Sequence, residues 1–172
     1  LTLQFGSFRH TVTLIAVPKY DGLRISQTLL RRMGLYSGDA LRLQYRPSSR
    51  TLSLGPLIGV LVSREKPSDP DRPFGNITMF CRELTEACRK QGAYVYFFTP
   101  GALGSSPGAV EGWVYRDGWR KLLLPVPNIV NNRLTTRKLE NLQTVQQFMH
   151  DIQVRYGSSV FNEKFLDKSE VF

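Results

Sequence analysis

The feature that most constrains this chain is a change of period at Gly55-Pro56. Upstream, short apolar-alternating segments are separated by turn residues. Downstream, longer apolar runs alternate with amphipathic helical stretches. Proline supplies no ladder donor and glycine weakens a strand, so the pair marks a boundary. Two units are therefore expected in the 172 residues, 1–54 and 55–158, with 159–172 opening a third.

The first unit reads as strands and turns. Thr11-Val-Thr-Leu-Ile-Ala-Val17 is β-branched and apolar, and Pro18 follows it. Ser26 is an N-cap for a short helix from Gln27 to Met33, which Gly34 terminates. From Ala40 to Arg46, Leu41, Leu43 and Tyr45 alternate with Arg42, Gln44 and Arg46. That period predicts a strand with its apolar side inward and its cationic side outward. Pro47–Arg50 is a turn and Thr51–Leu54 a closing strand. The expected architecture is a small, partly open β-barrel-like domain.

The second unit carries the pattern of βαβ folds. Leu57–Ser63 is a continuous apolar run, as in a strand covered on both faces. Asn76 is a candidate N-cap, followed by a stripe of Ile77, Phe80, Cys81, Leu84 and Cys88. Ala93–Phe98 is the next strand. Asp117-Gly118 between Val110–Tyr115 and Trp119–Leu124 predicts a hairpin. Asn128–Asn132 is a further strand, and Thr135 or Thr136 caps a long helix with the stripe Leu139, Leu142, Val145, Met149, Ile152 and Tyr156. Gly157 stops it; Val160–Phe172 reads as a strand or turn and then the opening of a helix. The class is α+β or α/β, a Rossmann-like domain after the barrel-like unit.

Charge narrows the partners. The net charge of +9 points to an anionic partner and says nothing about fold. It is uneven, with eight Lys/Arg against two acids in residues 1–54 and 15 against 12 in the rest. Two cysteines, Cys81 and Cys88, cannot build a disulfide framework. On one helix they would stand about 10 Å apart, too far to bridge. With no apolar run of roughly 18 residues, no membrane span is expected. Leu1–His10 shows no basic-then-apolar leader. A reducing, cytoplasmic location is the expectation.

Most candidate chemistry reduces to structure. The cysteines lie on the helical core stripe and read as buried thiols. His10 and His150 share no metal-ligand spacing with them, so no metal site is expected. The Gly101–Gly108 stretch lacks the Lys-Ser/Thr of a phosphate loop and precedes a strand, so it reads as a flexible loop. Its serines have no evident His/Asp partner, and no catalytic residue is assigned. Arg42, Arg46 and Arg50 offer cations to phosphates, but Tyr45 alternates to the other face from Arg42 and Arg46. A stacking surface is therefore missing, and nucleic acid is disfavoured.

The segment Asn131 to Glu140 is more informative. Arg133, Arg137 and Lys138 cluster between a strand and the first turn of a helix, where cations oppose the helix dipole. A bound anion reverses that penalty, with Asn132, Arg133, Arg137 and Lys138 as its candidate ligands. The alternative is that Glu140 pairs with Arg133 or Arg137. Both readings stand.

Gly55-Pro-Leu-Ile-Gly-Val-Leu61, Pro73-Phe-Gly75, Val95-Tyr-Phe-Phe98, Gly112-Trp113, Pro125–Arg133 with Arg137 and Glu140, and Phe161-Asn to Phe165-Leu-Asp-Lys168 form one colinear series. The series resembles the front part of the YheC/YheD family, endospore coat-associated proteins with an ATP-grasp domain. The resemblance implies a small β unit, a pre-ATP-grasp α/β domain, and then an ATP-grasp domain that binds ATP and Mg²⁺. Proteins of that fold typically activate a carboxylate as an acyl phosphate and pass it to an amine or thiol. Ser169, Asn128 and Asn131 depart from the family pattern. The phosphate-binding lysines and Mg²⁺ ligands would lie beyond Phe172, so residues 1–172 are expected to be inactive alone. Their implied role is a substrate-side wall facing an anionic small molecule or nucleotide. The competing expectation is a non-enzymatic module that docks on a spore-coat protein through the basic barrel-like unit.

Overall fold

A computed structural model describes residues 1–104 and 106–162. The expected helix near Asp167 and the motif Phe165–Lys168 lie outside them. The chain opens with β1 (Thr2–Phe5) and β2 (Phe8–Thr11), an antiparallel pair turning at Gly6-Ser7. After α1 (Gln27–Met33) come β3 (Leu43–Arg46) and β4 (Thr51–Leu54). The four strands form an open sheet in the order β2-β1-β4-β3, with β1 parallel to β4.

This corrects the barrel expectation: β2 and β3 are the two edges and do not meet. Closure is unnecessary because the second sheet covers the apolar face. Leu3, Phe5, Leu52 and Leu54 share one buried cluster with Leu57, Tyr94, Leu124 and Val126. Phe5 meets the Tyr94 ring edge-on at 5.6 Å, and the Tyr94 hydroxyl donates to the Gly34 carbonyl at 2.9 Å. The Thr11–Val17 strand ends at its first residue. Leu14, Ile15 and Val17 are exposed, since β-branched propensity without a partner strand does not make a ladder. The helix keeps both expected caps: Ser26 accepts from Leu29 N, and Gly34 is left-handed at φ 74°.

The second sheet has six strands in the order β10-β9-β5-β6-β7-β8. These are β5 (Leu57–Leu61), β6 (Tyr94–Phe98), β7 (Ala109–Tyr115), β8 (Trp119–Pro125), β9 (Ile129–Asn132) and β10 (Ser159–Phe161). The strands β10, β9, β5 and β6 are mutually parallel; β7 and β8 add an antiparallel hairpin. The hairpin turn places Asp117 and Gly118 at φ 50° and 126°, the positive values such turns require. Gly112 lets the hairpin lie against β6, where a Cβ would stand 2.4 Å from the Tyr96 ring.

Helices α2 (Thr78–Lys90) and α4 (Gln143–Tyr156) cover opposite faces. Cys81 of α2 packs with Val60, Val95 and Phe97. From α4, Val145, Met149 and Ile152 pack with the intervening residues Leu61, Tyr96 and Phe98. Burial on both faces explains the unbroken apolar runs.

Two helix expectations are corrected. Asn76 does not cap α2; it lies in a 3-10 turn, Gly75–Ile77, that leads into it. Ile77 and Phe80 face outward while Thr78 and Thr85 are buried, the Thr85 hydroxyl donating to the Cys81 carbonyl. The long second helix is broken. Thr136 caps only the single turn α3 (Arg137–Glu140), the chain turns at Asn141-Leu142, and α4 follows. The apolar spacing continues through the break, so periodicity alone does not show it. The expected inward face of β3 is only half realised. Its alternation holds, yet Leu43 and Tyr45 remain 50% and 49% exposed because they sit at the sheet edge.

Candidate functional site

The site is built where β5 and β9 end side by side. Parallel pairing runs to Leu61 opposite Asn132, and the Arg133 amide continues it by donating to the Leu61 carbonyl at 2.8 Å. Just beyond, the Ser63 and Thr135 hydroxyls lie 3.0 Å apart, and the Thr135 amide donates to Ser63 Oγ at 3.0 Å. Two hydroxyls at adjacent strand ends fix the two loops to one another.

The four sequence candidates separate by burial. Asn132 is buried: its Oδ1 accepts from the Leu134 amide at 3.0 Å and its Nδ2 donates to Glu140 Oε1 at 3.3 Å. Glu140 is buried too, and Gln146 Nε2 donates to its carbonyl. This network holds α3 against the end of β9. Arg133, Arg137 and Lys138 are exposed. The Arg133 guanidinium lies 5.0 Å over the Phe80 ring, a cation–π contact across to α2. Arg133 thus stands two residues before the Thr135 that meets Ser63, and Arg137 and Lys138 follow in the first turn of α3.

Ser63, Thr135 and Phe80 were not among the sequence candidates. Ser63 closes the apolar run of its strand, a signal available in the sequence. Phe80 falls on the apolar helical stripe, which hid its outward orientation.

The nearby thiol is inert. Burial pushes Cys81 up to about 12, and the neighbouring Arg133 charge only partly opposes that. A protonated thiol is not a nucleophile at neutral pH. Burial raises Cys88 as well. Among the described residues no group of three His, Cys, Asp or Glu side chains is placed to hold a metal ion. No helix there is long and apolar enough to cross a membrane.

Fold and site together define a mixed α+β chain of two mixed sheets, with polar and cationic residues at the ends of two parallel strands. Compared with known proteins, the chain is 31% identical over 122 residues to the endospore coat-associated protein YheD of Bacillus subtilis (strain 168). The match covers 70% of this chain and 27% of that protein. The chain belongs to the YheC/YheD family. No family model matches it, and no solved structure does.

Proposed function

We propose that this chain is the N-terminal portion of a YheC/YheD-like protein and supplies the substrate-side wall of an ATP-dependent ligase. One observation carries the reading. From β5 the chain passes through α2 to β6 on one side, and from β9 it passes through α4 to β10 on the other. Such a reversal of direction opens a crevice at the strand ends, where open α/β sheets bind their ligands. In this chain Ser63, Arg133 and Thr135 follow the ends of β5 and β9, and Arg137 and Lys138 open the helical turn that comes next. The cations favour an anionic group, a nucleotide or a carboxylated or phosphorylated small molecule, and the hydroxyls orient its oxygens. This arrangement supports a Rossmann-like, pre-ATP-grasp role for residues 55–158.

ATP and Mg²⁺ belong to the ATP-grasp reading of the full-length protein. The described residues do not assemble a donor set for the metal, so no step of the reaction is routed through them. Their part is binding and orientation. Residues 1–172 are expected to show no ATP turnover, and turnover above a heat-treated control overturns the reading. Pyrophosphate titrated by calorimetry is expected to bind the chain and to lose affinity with Arg133→Ala plus Lys138→Ala.

A second reading has its own support. The relative is named as endospore coat-associated, and residues 1–54, which hold the first sheet, carry eight Lys/Arg against two acids. Docking on a coat component through that sheet is then the activity. Retention on isolated spore coats that falls as salt rises supports it; salt-independent retention opposes it.

A further inference from the structure

The edge strand β3 is built to take another strand. Among the described residues it pairs with β4 alone, in a ladder that sets Leu43 opposite Leu54 and Arg46 opposite Thr51. The Gly55 amide donates to the Arg42 carbonyl while the Arg42 amide donates to the Gly92 carbonyl, so in this register Gln44 and Arg46 direct their backbone groups toward β4. By the alternation of an antiparallel ladder, the N–H and C=O groups of Leu43 and Tyr45 point to the open side.

The two faces of this edge differ in chemistry. On one, Arg42, Gln44 and Arg46 line a cavity of about 310 Å³ with Gln4, Ser53 and Asn128. No acid lines it, and no ion pair engages Arg42 or Arg46 among the described residues. On the other face, Leu41 and Leu43 line a second cavity of about 790 Å³ with Leu30, Leu35 and Ile25, and Asp21, Arg24 and Asp39 line it too. Leu43 and Tyr45 are half exposed there.

We propose that β3 binds an extended polypeptide segment of alternating acidic and apolar residues, added to the sheet as a fifth strand. Main-chain hydrogen bonds to Leu43 and Tyr45 hold the segment, and pockets for its alternate side chains give specificity. Alternate residues of an extended chain stand about 6.6 Å apart, the spacing of Arg42, Gln44 and Arg46 along their own strand. Acidic side chains therefore meet the guanidinium groups in register while the residues between them enter the apolar side. Charge also selects against the simplest competitor. A second copy of this edge would bring arginines against arginines, a destabilising juxtaposition. The cationic face has no stacking aromatic, since Tyr45 lies on the other side, so single-stranded nucleic acid fits it poorly.

This inference names a partner chemistry for the coat-docking reading and is independent of the crevice at β9. The test titrates residues 1–172 by calorimetry with a short capped peptide of alternating Glu and Val. Controls are a peptide of equal composition with Glu and Val in two blocks, and an alternating Lys-Val peptide. The alternating Glu-Val peptide is expected to bind about tenfold more tightly than the block peptide, since charge alone does not distinguish them. Methylating its alternate backbone nitrogens abolishes binding to the unmodified protein. Arg42→Glu with Arg46→Glu reverses the preference toward Lys-Val, a gain that a misfolded variant would not show. Equal binding of the alternating and block peptides overturns strand addition. So does undetectable binding of the first, or binding that survives the charge reversal. Coat retention without peptide binding leaves the docking reading standing and removes this site. Peptide binding without coat retention does the reverse.

Discussion

The two sheets bury the same kind of residue in different ways. The second is covered by helices on both faces, so β6 is buried at every position from Tyr94 to Phe98. The first is covered on one face only, and the side chains of its edge strand β3 are exposed throughout. A sheet buried twice is specified by packing and tolerates little change. A sheet buried once has a free surface, and here that surface carries charge. The contrast assigns stability to one sheet and interaction to the other, and it is open to measurement.

The largest expected effect lies in the second sheet. Phe97 is fully buried, with ring contacts to Phe74 at 5.6 Å and Trp119 at 5.7 Å. Phe97→Ala is expected to cost about 3–5 kcal/mol, the lost transfer energy plus the cavity left behind. Tyr45→Ala on β3 should stay within about 0.5 kcal/mol. Chemical denaturation reads both. Similar losses at the two positions would break the contrast.

The seam between the sheets comes next. Burial pushes the Tyr94 hydroxyl up to about 12, against partial opposition from the Arg116 charge. Below about pH 10 the phenol is protonated in folded and unfolded chains alike. Between pH 10 and 12 the unfolded chain releases the proton and the folded chain keeps it, so stability falls as pH rises. The loss attributable to Tyr94 across that window is about 2–3 kcal/mol. Tyr96 and Cys81 shift in the same direction, also through burial. The difference between the native chain and Tyr94→Phe isolates the Tyr94 share. An unchanged alkaline slope in the variant would remove Tyr94 from the seam's energetics.

What the sequence revealed follows the same division. Local signals were legible: the Ser26 and Gly34 caps of α1, the Asp117-Gly118 hairpin, and the apolar runs of β5 and β6. Each depends on neighbours in sequence. The strands β1 and β2 went unread because four-residue alternations around Gly6-Ser7 give little periodicity, whereas Thr11–Val17 offered more β-branched residues and no partner. The same limit applies to the candidate site. Arg133, Arg137 and Lys138 are visible as a cluster because they are adjacent. Ser63 meets Thr135, and Phe80 meets Arg133, only through the parallel pairing of β5 with β9 and the placement of α2, which no short window of sequence encodes.

A smaller effect tests how firmly the Tyr36–Asp39 segment is fixed to the second sheet. The Arg116 guanidinium reaches Asp39 at 3.0 Å, donates to the Tyr94 hydroxyl at 3.2 Å and lies 3.9 Å from the Tyr36 ring centroid. Both charged side chains are largely buried, at 17% and 18% exposure, so the pair is screened less than a surface one. Asp39→Asn keeps the shape and removes the charge, leaving Arg116 without its counter-ion. A loss of about 2 kcal/mol is expected, within the range for hydrogen bonds to charged groups. Asp39→Asn combined with Arg116→Met should recover part of it, because neither partner is then left charged and buried. A double variant no more stable than Asp39→Asn alone would show that the pair does more than neutralise itself.

The smallest effect decides on which side of the comparison the crevice at β9 falls. Arg133 grows from the end of a strand buried on both faces, yet its guanidinium is exposed and rests on Phe80, itself on the surface. Exposed cation–π contacts contribute about 0.5–1 kcal/mol, and the alanine variant regains hydration of the ring edge. Arg133→Ala is therefore expected to shift unfolding by about 0.5 kcal/mol while weakening pyrophosphate binding several-fold. That outcome groups Arg133 with the first sheet's arginines, as a charge held for a partner. A loss of several kcal/mol with binding unchanged would place it among the residues that hold the second sheet together, and the anion reading of the crevice would fail with it.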